Sequence, residues 1–279
     1  MSAPQPLAPP AAPAIGAVAG RIGAMILRHV YLLRTSWPRL FELMYWPTIQ
    51  MVLWGFITRY LMTSSSVIAQ ASGVLISAVL LWDVLFRGQL GFSLSFLEEI
   101  WSRNLANLSV SPLRPAEFLV ALTVMSLIRT LIGILPATGL AIVFYDASIY
   151  QLGLPLIAFF VNLLIMGWAI GMMVSALILR VGLGAESTAW LAIFLIAPVS
   201  AIYYPVAVLP EWLQVVAWSL PTAPVFEGMR AILMEGQFRP ELLIHAFLLD
   251  LVYLGVGAGL FLYSFQVARR RGLLLQVGE

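Results

Sequence analysis

The sequence predicts an all-α integral membrane protein, and three observations carry that prediction. Of its 279 residues, 61% are hydrophobic and only 10% are charged, whereas charged residues make up about a quarter of an average soluble domain. The mean hydropathy is +0.96. Six stretches are apolar over roughly 20 residues, which is the length that a helix needs to cross the bilayer core. This composition argues against a soluble enzyme and against a nucleic-acid-binding protein, and the absence of cysteine excludes disulfides.

The part of the chain before the first span has two sections. Residues 1–16 are rich in proline and alanine and carry no positive charge, so we expect a disordered tail and no signal peptide. Residues 17–44 predict an interfacial helix, because Arg21, Arg28 and Arg39 fall within about 20° of one another at about 100° per residue. Their guanidinium groups would lie among the headgroups of the inner leaflet. A basic anchor that only fixes the topology is the alternative.

Six predicted transmembrane helices form a membrane domain over residues 45–267, followed by a cytoplasmic tail at 268–279. The spans are Tyr45–Met62, Ser72–Phe96, Phe118–Tyr145, Leu152–Leu179, Thr188–Val208 and Leu242–Val267. With both termini in the cytoplasm, two arginines, Arg230 and Arg239, lie outside. Ten lie inside, and this asymmetry agrees with the positive-inside rule: Arg21, Arg28, Arg34, Arg39, Arg103, Arg114, Arg180, Arg269, Arg270 and Arg271.

The connection between spans two and three predicts a short amphipathic helix on the cytoplasmic surface, running from Glu98 to Leu108. Glu99 and Arg103 are four residues apart, in the order that favours an ion pair on a helix. Trp101 lies among charged residues, which indicates a docking surface. A plain surface helix with no partner is the alternative.

The connection between spans five and six is too long for a tight turn and too apolar to stay in water. It runs from Pro210 to Pro240 and includes Trp212, Pro221 and Arg230. We expect two short re-entrant helices that dip into the outer leaflet, with protein covering the non-helical backbone at their junction.

The order of these parts resembles the transmembrane subunit of ABC-2 type transporters. The resemblance covers nearly the whole chain after the tail, but the glycine-threonine pair common in that family is replaced by Ile100-Trp101-Ser102. It rests on the interfacial helix, on the acidic helix with Leu108-Ser109-Val110-Ser111-Pro112, and on Pro205-x4-Pro210-x-Trp212-Leu213-Gln214 leading to Leu220-Pro221 and Arg230.

The resemblance implies an export permease of the bacterial cytoplasmic membrane that carries a lipid, a drug or a glycan. Its partners would be membrane lipids, a second permease copy, most simply in a homodimer, and a separate ABC ATP-binding subunit that holds ATP and Mg²⁺. That subunit would grip the interfacial helix and the helix containing Glu98, Glu99, Trp101, Arg103 and Leu108. The chain has no GxxxxGK[ST] phosphate loop, so we expect no catalytic residue, metal ligand or cofactor site in it.

Three ionisable residues are predicted near the middle of the membrane, where such groups are costly and often functional. Counting about 1.5 Å per residue, Asp83 and Arg129 reach similar depths and could pair, and Arg87 follows Asp83 by one helical turn. These residues would either face the translocation path or dimer seam, or form an internal ion cluster that pins spans two and three.

Two other functions remain open. A membrane-embedded lipid-modifying transferase would need clustered acid, base or metal ligands, whereas His29 and His245, the two histidines, are far apart in the sequence. An ATP-independent secondary carrier would predict inverted repeats, and none is evident between the two halves.

Overall fold

The computed structural model describes residues 15–62, 66–145, 152–272 and 274, and within them the regular secondary structure is entirely helical. Residues 1–14 of the predicted tail and residues 275–279 lie outside the described residues. In chain order the α-helices are α1 Ile15–Thr35, α2 Trp37–Met62, α3 Ser66–Trp101, α4 Leu105–Val110, α5 Pro115–Tyr145, α6 Pro155–Val181, α7 Thr188–Ile196, α8 Glu211–Trp218, α9 Thr222–Glu235 and α10 Pro240–Arg270.

Five of the described helical segments are long and apolar enough to cross a membrane, which makes this chain a multi-pass, all-α membrane protein. Four of them, Val74–Trp101, Pro115–Phe144, Pro155–Val181 and Pro240–Arg270, coincide with predicted spans. The fifth is Ile15–Thr35, which the sequence predicted as part of an interfacial helix. Within residues 17–44 the sequence indicates a break or a second helix start where Pro38 follows Ser36-Trp37, and in the structure α1 ends at Thr35 and α2 begins at Trp37.

Two predicted spans differ in the structure. Tyr45–Met62 lies within α2, but α2 is not among the five sufficiently apolar helices because tryptophan, tyrosine and Arg59 lower its hydropathy. Thr188–Val208 is not one helix: α7 ends at Ile196, and short 3-10 turns follow at Ala197–Val199 and Val206–Val208. Pro198 and Pro205 remove backbone donors in this stretch. The nine residues of α7 span only about 14 Å at 1.5 Å per residue.

Helix α3 forms the centre of the molecule, with α5, α6 and α2 packed around it. Close approach between α3 and α6 depends on two glycines, since a Cβ on Gly167 would lie 2.8 Å from the Leu85 carbonyl oxygen and one on Gly171 would lie 2.8 Å from Phe92 Cβ. The four-residue spacing of small residues lets helices approach in this way. On α10, the residue that meets α6 is Gly257, whose Cβ would lie 2.7 Å from the Ala169 carbonyl oxygen.

The predicted helix from Glu98 to Leu108 is divided in the structure. Glu98, Glu99 and Trp101 belong to the last turn of α3, and Leu108 belongs to the six-residue α4. Arg103 lies between the two helices with a φ of 53°, a left-handed conformation that ends a helix and that non-glycine residues adopt at some cost. Pro115 then begins α5, the position at which proline suits a helix start.

Candidate functional site

Two glutamates at the end of α3 form the centre of the candidate site. Glu98 and Glu99 lie in its last turn, where helix α3 has no basic residue and where the helix dipole disfavours negative charge. Both side chains are nevertheless buried. Buried carboxylates need paired cations and hydrogen-bond donors, and those donors come from helices α1, α2 and α5. We call this group the ionic joint; it comprises Arg28, His29, Arg39, Glu98, Glu99 and Arg129.

Glu98 binds two arginines from two different helices. Arg39 of α2 donates from Nη1 to Oε1 over 3.2 Å, and Arg129 of α5 donates from Nη2 to Oε2 over 2.7 Å. Arg39 remains partly exposed, whereas Arg129 is buried. Glu98 therefore connects α2 and α5 to the end of α3.

Glu99 is fully buried and connects α3 to α1. Arg28 Nε donates to its Oε1 over 3.0 Å, and Asn104 Nδ2 donates to its Oε2 over 2.6 Å. Asn104 directly precedes α4, so the same carboxylate also orients the start of that short helix. All four carboxylate oxygens of Glu98 and Glu99 thus accept a hydrogen bond from this chain, which suits a structural joint better than a catalytic base or metal ligand.

His29 lies between the two glutamates and is completely buried. Its Nδ1 is 3.4 Å from Glu98 Oε2 and its Nε2 is 3.5 Å from Glu99 Oε1, although neither nitrogen makes a hydrogen bond of good geometry with a described residue. His29 was not among the residues predicted for this site. The available signal was its place at four-residue spacing between Met25 and Leu33, which together form the buried face of α1.

A separate ion pair, between Arg21 and Glu117, attaches the N-terminal half of α1 to the start of α5. Arg21 donates from Nε to Glu117 Oε2 over 2.8 Å and from Nη2 to Oε1 over 2.6 Å, the bidentate geometry that makes such pairs strong. Glu117 also accepts the backbone N–H of Arg114 over 3.0 Å. The three arginines chosen from the sequence therefore each pair with a carboxylate at the same end of the bundle.

The exposed part of the site is the connection from α3 to α5. Trp101 is partly exposed and donates from Nε1 to Glu186 Oε2 over 3.2 Å, which links this connection to the segment after α6. Arg103, Asn107 and Val110 are exposed, whereas Leu105 is buried and anchors α4. Glu99 and Arg103 do not lie one turn apart on a single helix, as predicted, because α3 ends at Trp101.

The intramembrane charges pair differently from the prediction. Asp83 and Arg87 do form an ion pair, with Nε 2.5 Å from Oδ2, and Arg87 Nη1 also donates to the Leu43 carbonyl over 2.9 Å. Arg129, however, pairs with Glu98 and not with Asp83. The predicted pairing of Asp83 with Arg129 used only their similar depths along the helix axes. Depth does not determine which way a side chain points or which carboxylate an arginine reaches. Asp250 of α10 is also fully buried.

At the opposite end of the bundle, two helices occupy the region where two short helices were predicted. Pro210 precedes α8 and Pro221 precedes α9, while Trp212 is exposed. Arg230 is buried in α9, with Nη2 3.1 Å from Glu227 Oε1 and Nη1 donating to the Ile202 carbonyl over 3.3 Å. Glu227 accepts the Val206 N–H over 2.6 Å, so this pair covers backbone polar groups of the non-helical stretch.

Comparison with models of known protein families gives no match to this chain, and comparison with curated proteins gives none. Among the described residues, no group of three or more His, Asp or Glu side chains is arranged to hold a metal ion.

Proposed function

We propose that this chain is the membrane-spanning subunit of an ATP-driven exporter of the ABC-2 type, located in a bacterial cytoplasmic membrane and coupled to a separate ATP-binding subunit. The observation that supports this most directly is the ionic joint. The resemblance assigns contact with the ATPase to the N-terminal helix and to the connection after span two. In the structure those two segments are attached to each other through Arg28, His29 and Arg39 on one side and Glu98 and Glu99 on the other.

The position of α1 also supports an interfacial role. Arg21 and Arg28 are seven residues apart on α1, and both pair with carboxylates at one end of the bundle, at the start of α5 and the end of α3. Arg39, after the break at Ser36, pairs there as well. This attachment favours α1 lying across the cytoplasmic end, with its exposed apolar side chains in the inner leaflet.

The connection around α4 offers a surface to a partner. Trp101, Asn107 and Val110 are exposed on it, whereas Leu105 is buried beneath them. A force applied by an ATPase to this surface would reach Glu98 and Glu99 directly, and from them α1, α2 and α5. In this proposal the buried Asp83–Arg87 pair has a packing role, and the cargo is a lipid, a drug or a glycan.

A second permease copy would pack against the exposed side of α2. Trp37, Phe41, Tyr45 and Trp46 are exposed there, with the rings of Phe41 and Tyr45 stacked at a centroid distance of 5.3 Å. Large exposed aromatic surfaces are typical of contacts with another protein or with lipid.

The test is purification of the tagged full-length chain from its native membranes, with identification of co-purifying ATP-binding-cassette subunits and measurement of ATP turnover in proteoliposomes. We expect such a subunit to co-purify in equal amount and its ATP hydrolysis to change several-fold when this chain is present. A chain that is active without nucleotide would overturn the proposal.

A matched pair of variants tests the docking surface. Val110 on α4 and Val208 before α8 are both strongly exposed, at 86% and 68%. We expect Val110→Glu to abolish co-purification of the ATPase, because it places a charge in the contact, and Val208→Glu to leave it unchanged. Equal effects of the two variants would exclude α4 as the docking element.

A further inference from the structure

The ends of α6 and α10 form a half-open cavity of about 200 Å³ that is lined by Arg180, Tyr263, Val267 and Arg271. Hydrogen bonding shows that the two helix ends meet at this level, since Arg180 Nε donates to Ser264 Oγ over 2.9 Å. The guanidinium carbon of Arg180 lies 5.1 Å from the centre of the Tyr263 ring, a cation–π geometry that holds the arginine head in one orientation. The cavity therefore has a positive lining, in which Arg180 is oriented by Ser264 and Tyr263.

No carboxylate of the described residues forms an ion pair with the arginines that line this cavity. In the described part of the chain, seven arginines form ion pairs with carboxylates, and neither Arg180 nor Arg271 is among them. Arg269 and Arg270 add two exposed positive charges beside it. The negative ends of the α6 and α10 dipoles offset only part of this charge. An anion is the complementary occupant.

An apolar stripe on α10 leads into the cavity. Val252, Val256, Leu260, Tyr263 and Val267 follow one another at spacings of four or three residues, and the first four are exposed large side chains. Residues at these spacings share one face of a helix, and Arg271 continues the same series. The face thus combines an apolar track along the membrane-spanning helix with a cationic cavity at its end.

We propose that this cavity binds the phosphate of an anionic phospholipid, with one acyl chain lying along the α10 stripe. A cavity of about 200 Å³ is smaller than the roughly 300–1,000 Å³ of sites for whole drug-sized ligands, but it suits a headgroup whose chains remain outside. Cationic pockets between membrane helices on the cytoplasmic side are where anionic headgroups bind. The inference requires a membrane protein but does not require an exporter. Either this inference or the proposed function can therefore be wrong without the other.

Native mass spectrometry of the full-length chain in detergent tests this inference, with phosphatidylglycerol and phosphatidylcholine of identical acyl chains as probes. We expect the wild type to retain phosphatidylglycerol in preference to phosphatidylcholine, and R180Q/R271Q to weaken phosphatidylglycerol binding about tenfold. The matched control is R59Q/R239Q, which removes the same charge elsewhere and should keep the preference. A wild type without preference, or equal losses in both double variants, would overturn the proposal.

Two further measurements distinguish a phospholipid site from a site for a soluble anion and from a dimer interface. Millimolar inorganic phosphate that displaces the lipid completely would show a site for a soluble anion and overturn the lipid assignment. Dimers that exclude phosphatidylglycerol and dissociate in R180Q/R271Q would show that a second copy covers this face, which would also overturn it. If the double variant fails to fold, R271Q alone carries the test, because Arg271 is exposed and follows the end of α10, and a several-fold loss is expected.

Discussion

Arg129 in the middle of α5 donates to Glu98 in the last turn of α3 over 2.7 Å, and both side chains are buried. This contact connects two long helices that the short α4 segment also joins in sequence. A buried ion pair is weak evidence for stability as a whole, but removing one partner leaves an uncompensated charge and costs about 3–5 kcal/mol.

We therefore expect Glu98→Gln to destabilise the protein, because Arg39 and Arg129 would lose the charge that they share. The expected loss is about 3 kcal/mol, measured as a lower midpoint of thermal unfolding in detergent. Glu211→Gln, a change of the same chemistry at an exposed position on α8, is the control and should leave the midpoint unchanged. An unaltered midpoint in Glu98→Gln would mean that the ionic joint contributes nothing to stability.

The Arg21–Glu117 pair predicts rescue by charge exchange. Arg21→Glu and Glu117→Arg should each lower the thermal midpoint, because each places like charges opposite one another across the α1–α5 contact. The double variant restores an ion pair and should recover most of the loss, which a double-mutant cycle measures. Additive losses in the double variant would contradict direct pairing.

The α3–α6 contact predicts that alanine at Gly167 of α6 destabilises the protein, whereas alanine at Gly259 of α10 does not. Gly167→Ala should cost about 1–3 kcal/mol, since its Cβ would lie 2.8 Å from the Leu85 carbonyl oxygen. Gly259→Ala should be neutral or stabilising, because no heavy atom lies within 4 Å of the position of its Cβ and alanine favours a helix more than glycine. Thermal unfolding of the two variants decides this, and equal midpoints would be inconsistent with close approach at Gly167.

The predicted orientation can be tested with single cysteines, because the wild-type chain contains none. Asn107 in α4 and Gln237 before α10 are both exposed. A membrane-impermeant maleimide applied to intact cells should label Gln237→Cys but not Asn107→Cys. In inside-out vesicles the result should reverse. Labelling of both variants from the same side would refute the predicted topology.

The parts of the fold that the sequence predicted are those set by length and hydropathy. Spans two, three, four and six are apolar over the whole membrane thickness. Each coincides with one helix, apart from the first three residues of span four, which precede α6. The interruption of span five was not predictable from apolarity alone, because Pro198 and Pro205 interrupt its backbone hydrogen bonds while most side chains around them, apart from Ser200, remain apolar or aromatic. The end of α3 was missed for a related reason, since Arg103 adopts the left-handed conformation that a helix-ending glycine would have signalled.

Side-chain partners were less predictable than helices. The arginines of the N-terminal segment and the pair of glutamates after span two were selected separately, as elements that an ATPase would contact. Their attachment to each other depends on how α1 lies against α3 and α5, which is a tertiary relationship without a local sequence pattern. The spacing of Glu99 and Arg103 suggested a local pair, whereas the structure satisfies Glu99 through Arg28 and Asn104.

The break at Ser36 gives the ionic joint a mechanical property. Helices α1 and α2 meet at this single residue, and each is fastened on its own side to adjacent residues of α3, through Arg28–Glu99 and Arg39–Glu98. Together these two ion pairs restrain the angle between α1 and α2. A change of the angle between α1 and α2 at Ser36 would therefore require the end of α3 to move with both helices, or one of these partly exposed ion pairs to lengthen or break.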